Sequence, residues 1–267
     1  MFSKERVLYL WRHRELIRQF TIRDLASRYK GSYLGFLWSF LYPIMMLVVY
    51  TFVYSEIFKS RWTAQSDSKI EFALIIFAGL TTYNIFSEVV SRAPSLIIQN
   101  VNYVKKVVFP LEILPVSVLG SALINSLFSF SILITSLITL QGKIYWTALF
   151  LPLVLLPLLL LSVGLAWILS SIGVYFRDIS QVVTVAVQAL MLLSPIFYST
   201  AIIPDDFKFI YHYNIIGFVI EDMRNILIFG LMPDWANFTT STTVGAVILL
   251  AGYICFKKLK GGFADVM

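Results

Sequence analysis

Six long intervals of the chain carry no Asp, Glu, Lys or Arg: residues 31–55, 72–87, 113–142, 144–176, 179–204 and 238–256. About 20 apolar residues cross the hydrocarbon core of a bilayer as a helix, so five of the six reach or nearly reach that length. The second is short, but it extends toward Ile98 when Glu88 and Arg92, one helical turn apart, pair with each other. The pattern predicts an all-α integral membrane protein. Its six transmembrane helices are expected over residues 31–57, 70–98, 111–141, 144–172, 179–200 and 237–257, in one domain of 267 residues. The 30- and 33-residue intervals are parted only by Lys143 beside Gly142, which reads as a tight turn between spans.

Two segments stand outside that pattern. Residues 1–30 are basic and partly amphipathic. Ile22, Leu25, Ala26 and Tyr29 recur at i, i+3, i+4 and i+7, with Arg23, Asp24, Arg28 and Lys30 off that face. This spacing suits an N-terminal amphipathic helix lying in the membrane interface; a solvated basic tail is the alternative. The second segment, "DDFKFIYHYNIIGFVIEDMRNILIFGLMPDWA", is too polar to span and too apolar for an outer loop. Its apolar pieces, Phe207–Tyr213 and Ile215–Phe229, predict short re-entrant or interfacial helices over 205–235, before the last span. Non-helical backbone at that depth is tolerated only against protein or a cavity, so this segment is expected to line something.

Composition agrees with a bilayer as solvent: 58% of residues are hydrophobic, 13% are charged, and the mean hydropathy is +0.81. Cys255 is the sole cysteine, so no internal disulfide is possible. The first 30 residues hold eight basic side chains and no long apolar core, unlike a cleavable signal peptide. Six spans place both ends on one side. With the N-terminus inside, fifteen of the 21 Lys and Arg fall on inner segments and six on outer ones. The positive-inside rule then puts both termini in the cytoplasm. The net charge of +6 is this bias and not a nucleic-acid footprint.

Several chemistries lack their residues. No G-x-x-x-x-G-K-[ST] phosphate loop occurs. His13 and His212 fall in different compartments under this topology, so no shared metal or acid–base site is expected, and no catalytic group. Serines within the apolar runs have no His partner in sequence and read as helix-packing groups. The central thirds of the spans also lack the carboxylates that ion-driven carriers use, although broken helices can hold sodium with carbonyls alone. A pore-former with neither motor nor ion relay must take its energy from elsewhere.

Four degenerate stretches, in order over nearly the full length, carry a resemblance: "RDLASRYKGSYLGFLWSFLYPI", "QNVNYVKKVVFPLEILPV", "GVYFRDIS" and "LLSPIFYS". Together they are similar to the permease subunit of type-2 ATP-binding-cassette exporters. They resemble in particular the branch that exports lipid-linked polysaccharide, including O-antigen, capsule and teichoic acid permeases. One departure is Asn214-Ile215, where members of that family often show Asn-Pro, which puts the shape of the outer re-entrant turn in question. The resemblance implies a bacterial cytoplasmic (inner) membrane location and a homodimer of permeases, each bound to a separate ATPase that holds the ATP and Mg, with no cofactor on this chain. It implies docking of that ATPase by the N-terminal helix (Arg18, Arg23, Asp24, Arg28) and by the loop between the second and third spans (Asn102, Tyr103, Lys105, Lys106, Phe109, Pro110). Pro110 is expected to open the next helix, where a missing N–H costs nothing. Arg177-Asp178, in the turn between the fourth and fifth spans, reads either as a further coupling point or as a polar cap between helices.

The stretch "RYKGSYLGFLWSFLYPIMMLVVYTFVY", residues 28–54, is apolar but rich in rings. On a continuous helix Tyr29, Tyr33, Phe36 and Phe40 share one side. Sugar C–H faces stack on aromatic rings, so Tyr33, Phe36 and Phe40 are candidates for a polymer-sliding surface, with Pro195 and Tyr198 opposite. The other reading is ordinary ring packing and interfacial anchoring, which fully accounts for Trp62, Trp146 and Trp235. A gradient-driven or passive carrier is the alternative function from another class, and a same-family exporter of drug-like cargo keeps the motor and changes the substrate.

Overall fold

Among the residues that the computed structural model describes, 11–53, 69–105 and 109–267, every regular element is helical. We number the principal helices α1 Arg14–Tyr29, α2 Trp38–Thr51, α3 Lys69–Gln99, α4 Ile113–Ser136, α5 Leu151–Tyr175, α6 Ile179–Leu193, α7 Ile215–Arg224 and α8 Trp235–Leu259. Four helical stretches are long and apolar enough to cross a membrane: Ile70–Gln99, Ile113–Gln141, Trp146–Tyr175 and Trp235–Val266. Helices α2 and α6 are apolar but shorter, at 14 and 15 residues. At 1.5 Å per residue each is about 22 Å long, below the ~30 Å of a hydrocarbon core.

The shortness of both has a cause in sequence. The interval expected as a span over 179–200 is helical only to Leu193; Ser194 is extended at φ −84° and ψ 146°. Pro195 forces this, because its ring crowds the preceding residue out of the α region. Between α1 and α2, Gly31 and Gly35 take φ of +86° and +49°, and a short 3-10 turn, Gly35–Leu37, leads into α2. That left-handed backbone ends one helix and starts another. The expectation of a continuous helix carrying Tyr29, Tyr33, Phe36 and Phe40 on one side is therefore corrected.

Helix α3 is the central element: nearly its whole length is buried against α2, α4, α5, α6 and α7. Helices α5 and α8 form the most extensive pair. A Cβ on Gly252 would lie 2.2 Å from the carbonyl oxygen of Gly164, so the two backbones touch where both residues lack side chains. Small residues at such crossings are how helices associate where no hydrophobic force separates protein from lipid.

Connections define two ends. At one, Gln99, Tyr175 and Leu259 end α3, α5 and α8; the Tyr175 hydroxyl donates to the Leu259 carbonyl at 3.0 Å, and Lys260 pairs with Glu112 at 2.9 Å. At the other, Gly142 turns at φ +66° between α4 and α5, and Trp146, Phe150, Trp235 and Phe238 form an edge-to-face chain. Helix α4 begins at Ile113, not at Pro110: the buried Pro110 offers its carbonyl to the Ile113 N–H at 3.1 Å, making the turn before the helix.

Candidate functional site

At the Gln99 end, α1 lies across the start of α4. Its buried face is Phe20 and Thr21 with part of Ile17, seated on Ser117, Gly120 and Ser121. Of the apolar set spaced at i, i+3, i+4 and i+7, Ile22 and Ala26 are exposed, while the face toward the bundle holds Asp24 and Arg28. The reason is charge. These two meet Glu88 and Arg92 of α3, and a carboxylate–guanidinium network satisfies them only on that side.

In that network the two nitrogens of the Arg92 guanidinium clasp the two Asp24 oxygens, Nη1 at 2.9 Å. Arg28 donates to Asp24 at 3.2 Å and to the Glu88 carboxylate. Arg92 lies 3.5 Å from Glu88, the pairing expected within one helical turn, and the Ser121 hydroxyl donates to Asp24 at 2.6 Å. Two acids and two bases leave the cluster neutral. Burial alone raises the Asp24 pKa, but the bonds from Arg92 and Ser121 and the charges of Arg92 and Arg28 overcome it and hold the group at about 2. Arg28 is lowered by burial and raised more strongly by its Glu88 and Asp24 contacts, so it stays charged.

Beside the network, α1 meets the helical turn Val101–Val104 and the segment after it. The rings of Phe20, Tyr103 and Phe109 sit 5.2, 5.4 and 4.6 Å apart as pairs. Arg23 lies 4.1 Å above the Phe20 ring, donates to the Tyr103 hydroxyl at 2.6 Å, and reaches Asn100 at 3.4 Å. Arg18, Asn102 and Lys105 are exposed around this aromatic–guanidinium cluster, and Arg18 makes only a loose 4.0 Å approach to Glu15. The candidate docking residues thus divide. Arg23, Tyr103 and Phe109 build the platform, Arg18, Asn102 and Lys105 project from it, and Asp24 and Arg28 are engaged within the chain. Lys106 lies outside the described residues, as do Lys4, Arg6, Tyr54, Lys59, Arg61 and Trp62. Arg177 and Asp178 are exposed at the same end; Asp178 occupies the N-cap of α6, yet its side chain makes no capping bond.

The ring residues are dispersed. Tyr33 is fully exposed, while Phe40 packs edge-on against Phe128 with centroids 4.7 Å apart. Phe36 lies in the 3-10 turn. Pro195 and Tyr198 lie in the turn after α6, not within a span. Pro195 is buried beneath α7; the Tyr198 hydroxyl donates to Leu192 at 3.0 Å and meets that of Tyr211.

At the opposite end, α7 carries Arg224, which in sequence is one of six basic residues on outer segments. Arg224 is 2% exposed and donates to the carbonyls of Ile75 at 3.1 Å, Pro195 at 2.6 Å and Ile196 at 2.6 Å. It ties α7 to the start of α3 and to the broken end of α6. Asp222, two residues earlier, accepts from the Asp234 N–H at 2.9 Å and holds the start of α8. The signal was present as Glu, Asp and Arg inside "FVIEDMRNILIF". Asn214 caps α7, accepting from the Gly217 N–H at 3.0 Å and donating to Ser194 at 3.1 Å. Ile215 occupies the first helical position, where a proline fits equally well, so the Asn-Ile departure leaves a regular helix start. Among the described residues no group of three His, Cys, Asp or Glu is arranged to hold a metal ion.

A sequence model of the family described as ABC-2 type transporter matches residues 15–228. The chain is 24% identical over 255 residues, 95% of both sequences, to an O-antigen export system permease protein RfbA of Klebsiella pneumoniae. It is 26% identical over 258 residues, 96% of both, to the protein of that name in Myxococcus xanthus. With the polysialic acid transport protein KpsM of Escherichia coli it shares 23% over 243 residues, 88% of this chain and 90% of that one.

Proposed function

Because the chain belongs to the ABC-2 type transporter family, we propose that it is the permease subunit of an ATP-driven exporter that moves lipid-linked polysaccharide, O-antigen foremost, across a bacterial cytoplasmic membrane. Two copies pair, and each binds a separate ATPase that carries the ATP and Mg. Residues 35–53 and α6 complete six spans with the four long helices, the Gln99 end and both termini are cytoplasmic, and 205–235 dips into the outer leaflet. The exposed Ile22 and Ala26 of α1 then face lipid while its other face grips the bundle.

The observation that carries this reading is the platform of Arg23, Phe20, Tyr103 and Phe109, locked to α3 through Asp24, Arg28, Glu88 and Arg92 and to α4 through Ser121. A load applied there by a motor passes into α3 through the ion pairs and into α4 through the hydroxyl bonds of Thr21 and Ser121. The four charges also bear on the alternative of ion-driven transport. A coupling carboxylate must hold an ion as its counter-charge, whereas the charges of Asp24 and Glu88 are already balanced by Arg28 and Arg92. Capsule or teichoic acid polymers, and drug-like cargo, remain same-family outcomes of the cargo assay.

The test is the doubly reversed loop, Lys105→Glu with Lys106→Glu. The exposed Lys105 makes no side-chain bond to a described residue, so the variant is expected to insert and melt as the parent does. It should lose co-purification with the ATPase, or ATP turnover stimulated by the permease, by about tenfold. Unchanged partnership and turnover would make the loop a mere connector. Export of polymer by cells whose ATPase gene is deleted would overturn the ATP-driven reading itself.

A further inference from the structure

One residue breaks the burial of α3. From Glu71 to Ile98 every side chain is buried or half-buried except Asn84, which stands at the middle of the span and is exposed. Its amide makes no hydrogen bond to a described residue. A bare amide at that depth is costly unless something polar meets it. What it faces is a cavity of about 280 Å³ between α2, α3 and α4, near the ~300 Å³ lower bound of small-molecule sites. Asn125, Ser129 and Thr81 add polar groups to its walls, Trp38 and Tyr42 add rings, and Glu88 forms part of the lining next to the ion-pair network. Trp38 and Tyr42 are 39% and 57% exposed, so their faces are open to a visitor.

The chemistry of this lining selects its ligand. Among the described residues of the lining the one carboxylate, Glu88, is already paired with Arg28 and belongs to a neutral cluster. Neither a phosphate nor a free cation finds an uncompensated partner there. What fits is a neutral ring that carries many hydroxyls and one apolar face. Amides and hydroxyls satisfy the former, and an indole or phenol satisfies the latter. We propose that the Asn84 cavity is a sugar subsite inside each protomer, holding one ring of the polymer against Trp38 or Tyr42 while Asn84 and Asn125 bond its hydroxyls. This rests on the polysaccharide reading above and adds a holding point that the scattered rings of Tyr33 and Phe40 do not supply. A polymer held at one ring and released when α2 shifts against α3 advances in steps, and the network one turn below links that shift to the docking platform.

The experiment replaces Trp38, in the complete permease–ATPase complex in cells making their polymer, with the photocrosslinker p-benzoylphenylalanine. Tyr33 and the exposed Val247 of α8 are replaced in the same way for comparison. Adducts are oxidised with periodate and labelled with a biotin hydrazide, so that any glycan is read as a ladder of repeat-unit masses. The expected result is a glycan ladder at position 38 and none at 247. Adding Asn84→Leu should reduce the position-38 ladder at least fivefold, with Asn84→Gln retaining most of it and both proteins equally abundant. A ladder at 33 with none at 38, or a position-38 ladder indifferent to Asn84→Leu, overturns the subsite and leaves polysaccharide export standing. Ladders at neither 33 nor 38, with single lipid-sized adducts instead, overturn the subsite, and with it the reading that this face carries glycan.

Discussion

Arg28 and Arg224 each tie an accessory helix to the spans, and they do so by opposite electrostatics. Arg28 shares a neutral, four-membered cluster at the Gln99 end, where its side chain and those of Asp24, Glu88 and Arg92 keep between 19% and 35% exposure. Arg224 is sealed at the far end and donates to three backbone carbonyls. A cluster of paired, partly wetted charges can exchange partners at small cost, because each ion has a second counter-ion or water within reach. A buried guanidinium held by three backbone carbonyls can exchange them only if the backbone itself moves. The first arrangement suits a joint that transmits motion from a docked motor; the second suits a rigid strut holding α7 in place.

The strongest way to break that contrast is Arg224→Met, which keeps length and removes the donors. The Ile75 carbonyl lies within a helix, where the backbone still supplies a donor; those of Pro195 and Ile196 lose theirs, at about 1–3 kcal/mol per buried group left unmet. Relief of a buried charge offsets part of this. The expected net loss is about 2–4 kcal/mol, read as a fall in melting temperature and in monodisperse yield on size exclusion in detergent. Unaltered melting would mean the outer end is not a strut. Arg224→Lys should rescue little, since an ammonium group cannot span three carbonyls as the planar fork does.

Asp24→Asn should cost less, about 1–2 kcal/mol, because Glu88 remains to hold both arginines. Its effect belongs on coupling: ATP turnover in the complex should uncouple from export while expression holds. The exchange pair Asp24→Arg with Arg92→Asp restores one acid and one base to the same places and should recover part of the coupling, which neither single change does. The sign with pH follows from Asp24, whose folded pKa of about 2 lies below its ordinary 3.8. Its contribution is complete above 3.8 and is lost as pH falls from there toward 2. Melting of the parent should therefore lose this share only in that acid window, and the Asp24→Asn protein should lack the feature. An identical acid profile in both would show that the aspartate is not the ion the cluster depends on.

What the sequence made legible follows the same division. All-helical character and the long apolar spans are readable because a run without charge has one stable form in lipid. The Glu88–Arg92 pairing was readable because it is local. Asp24 and Arg28 were visible as charges, but their direction was not: an i, i+4 pair on a basic helix looks the same whether it faces a motor or a bundle, and only Glu88, 60 residues away, decides. Arg224 was hidden for a related reason, since backbone carbonyls as partners leave no trace in composition. The stripe of rings failed on backbone geometry. Periodicity assumes an unbroken helix, and Gly31 and Gly35 were present to say otherwise.

The smallest expected effect on stability belongs to that stripe, and it sharpens the comparison by testing a region that ties nothing. Tyr33→Leu should leave melting unchanged, because the ring is fully exposed and packs on nothing described. Phe40→Leu removes an edge-to-face contact with Phe128. Such a contact is worth about 0.5–1.5 kcal/mol beyond area, and a swap that conserves apolar volume usually costs under about 1.5 kcal/mol. Stacking on a sugar, by contrast, is a property of the ring face and vanishes with either change. If Tyr33 is a sliding contact, Tyr33→Leu should reduce polymer export several-fold at parental abundance and melting temperature, and Tyr33→Phe should restore it. If the rings are packing groups, export should follow stability instead: Phe40→Leu would lower both together and Tyr33→Leu neither. Export untouched by Tyr33→Leu would remove this face from the polymer path and leave the Asn84 cavity to be judged by its own crosslinks. Alanine in place of leucine would not separate the cases at Phe40, since the void left beside Phe128 destabilises by itself. The leucine pair discriminates because its two members differ in what they pack against while losing the same kind of surface.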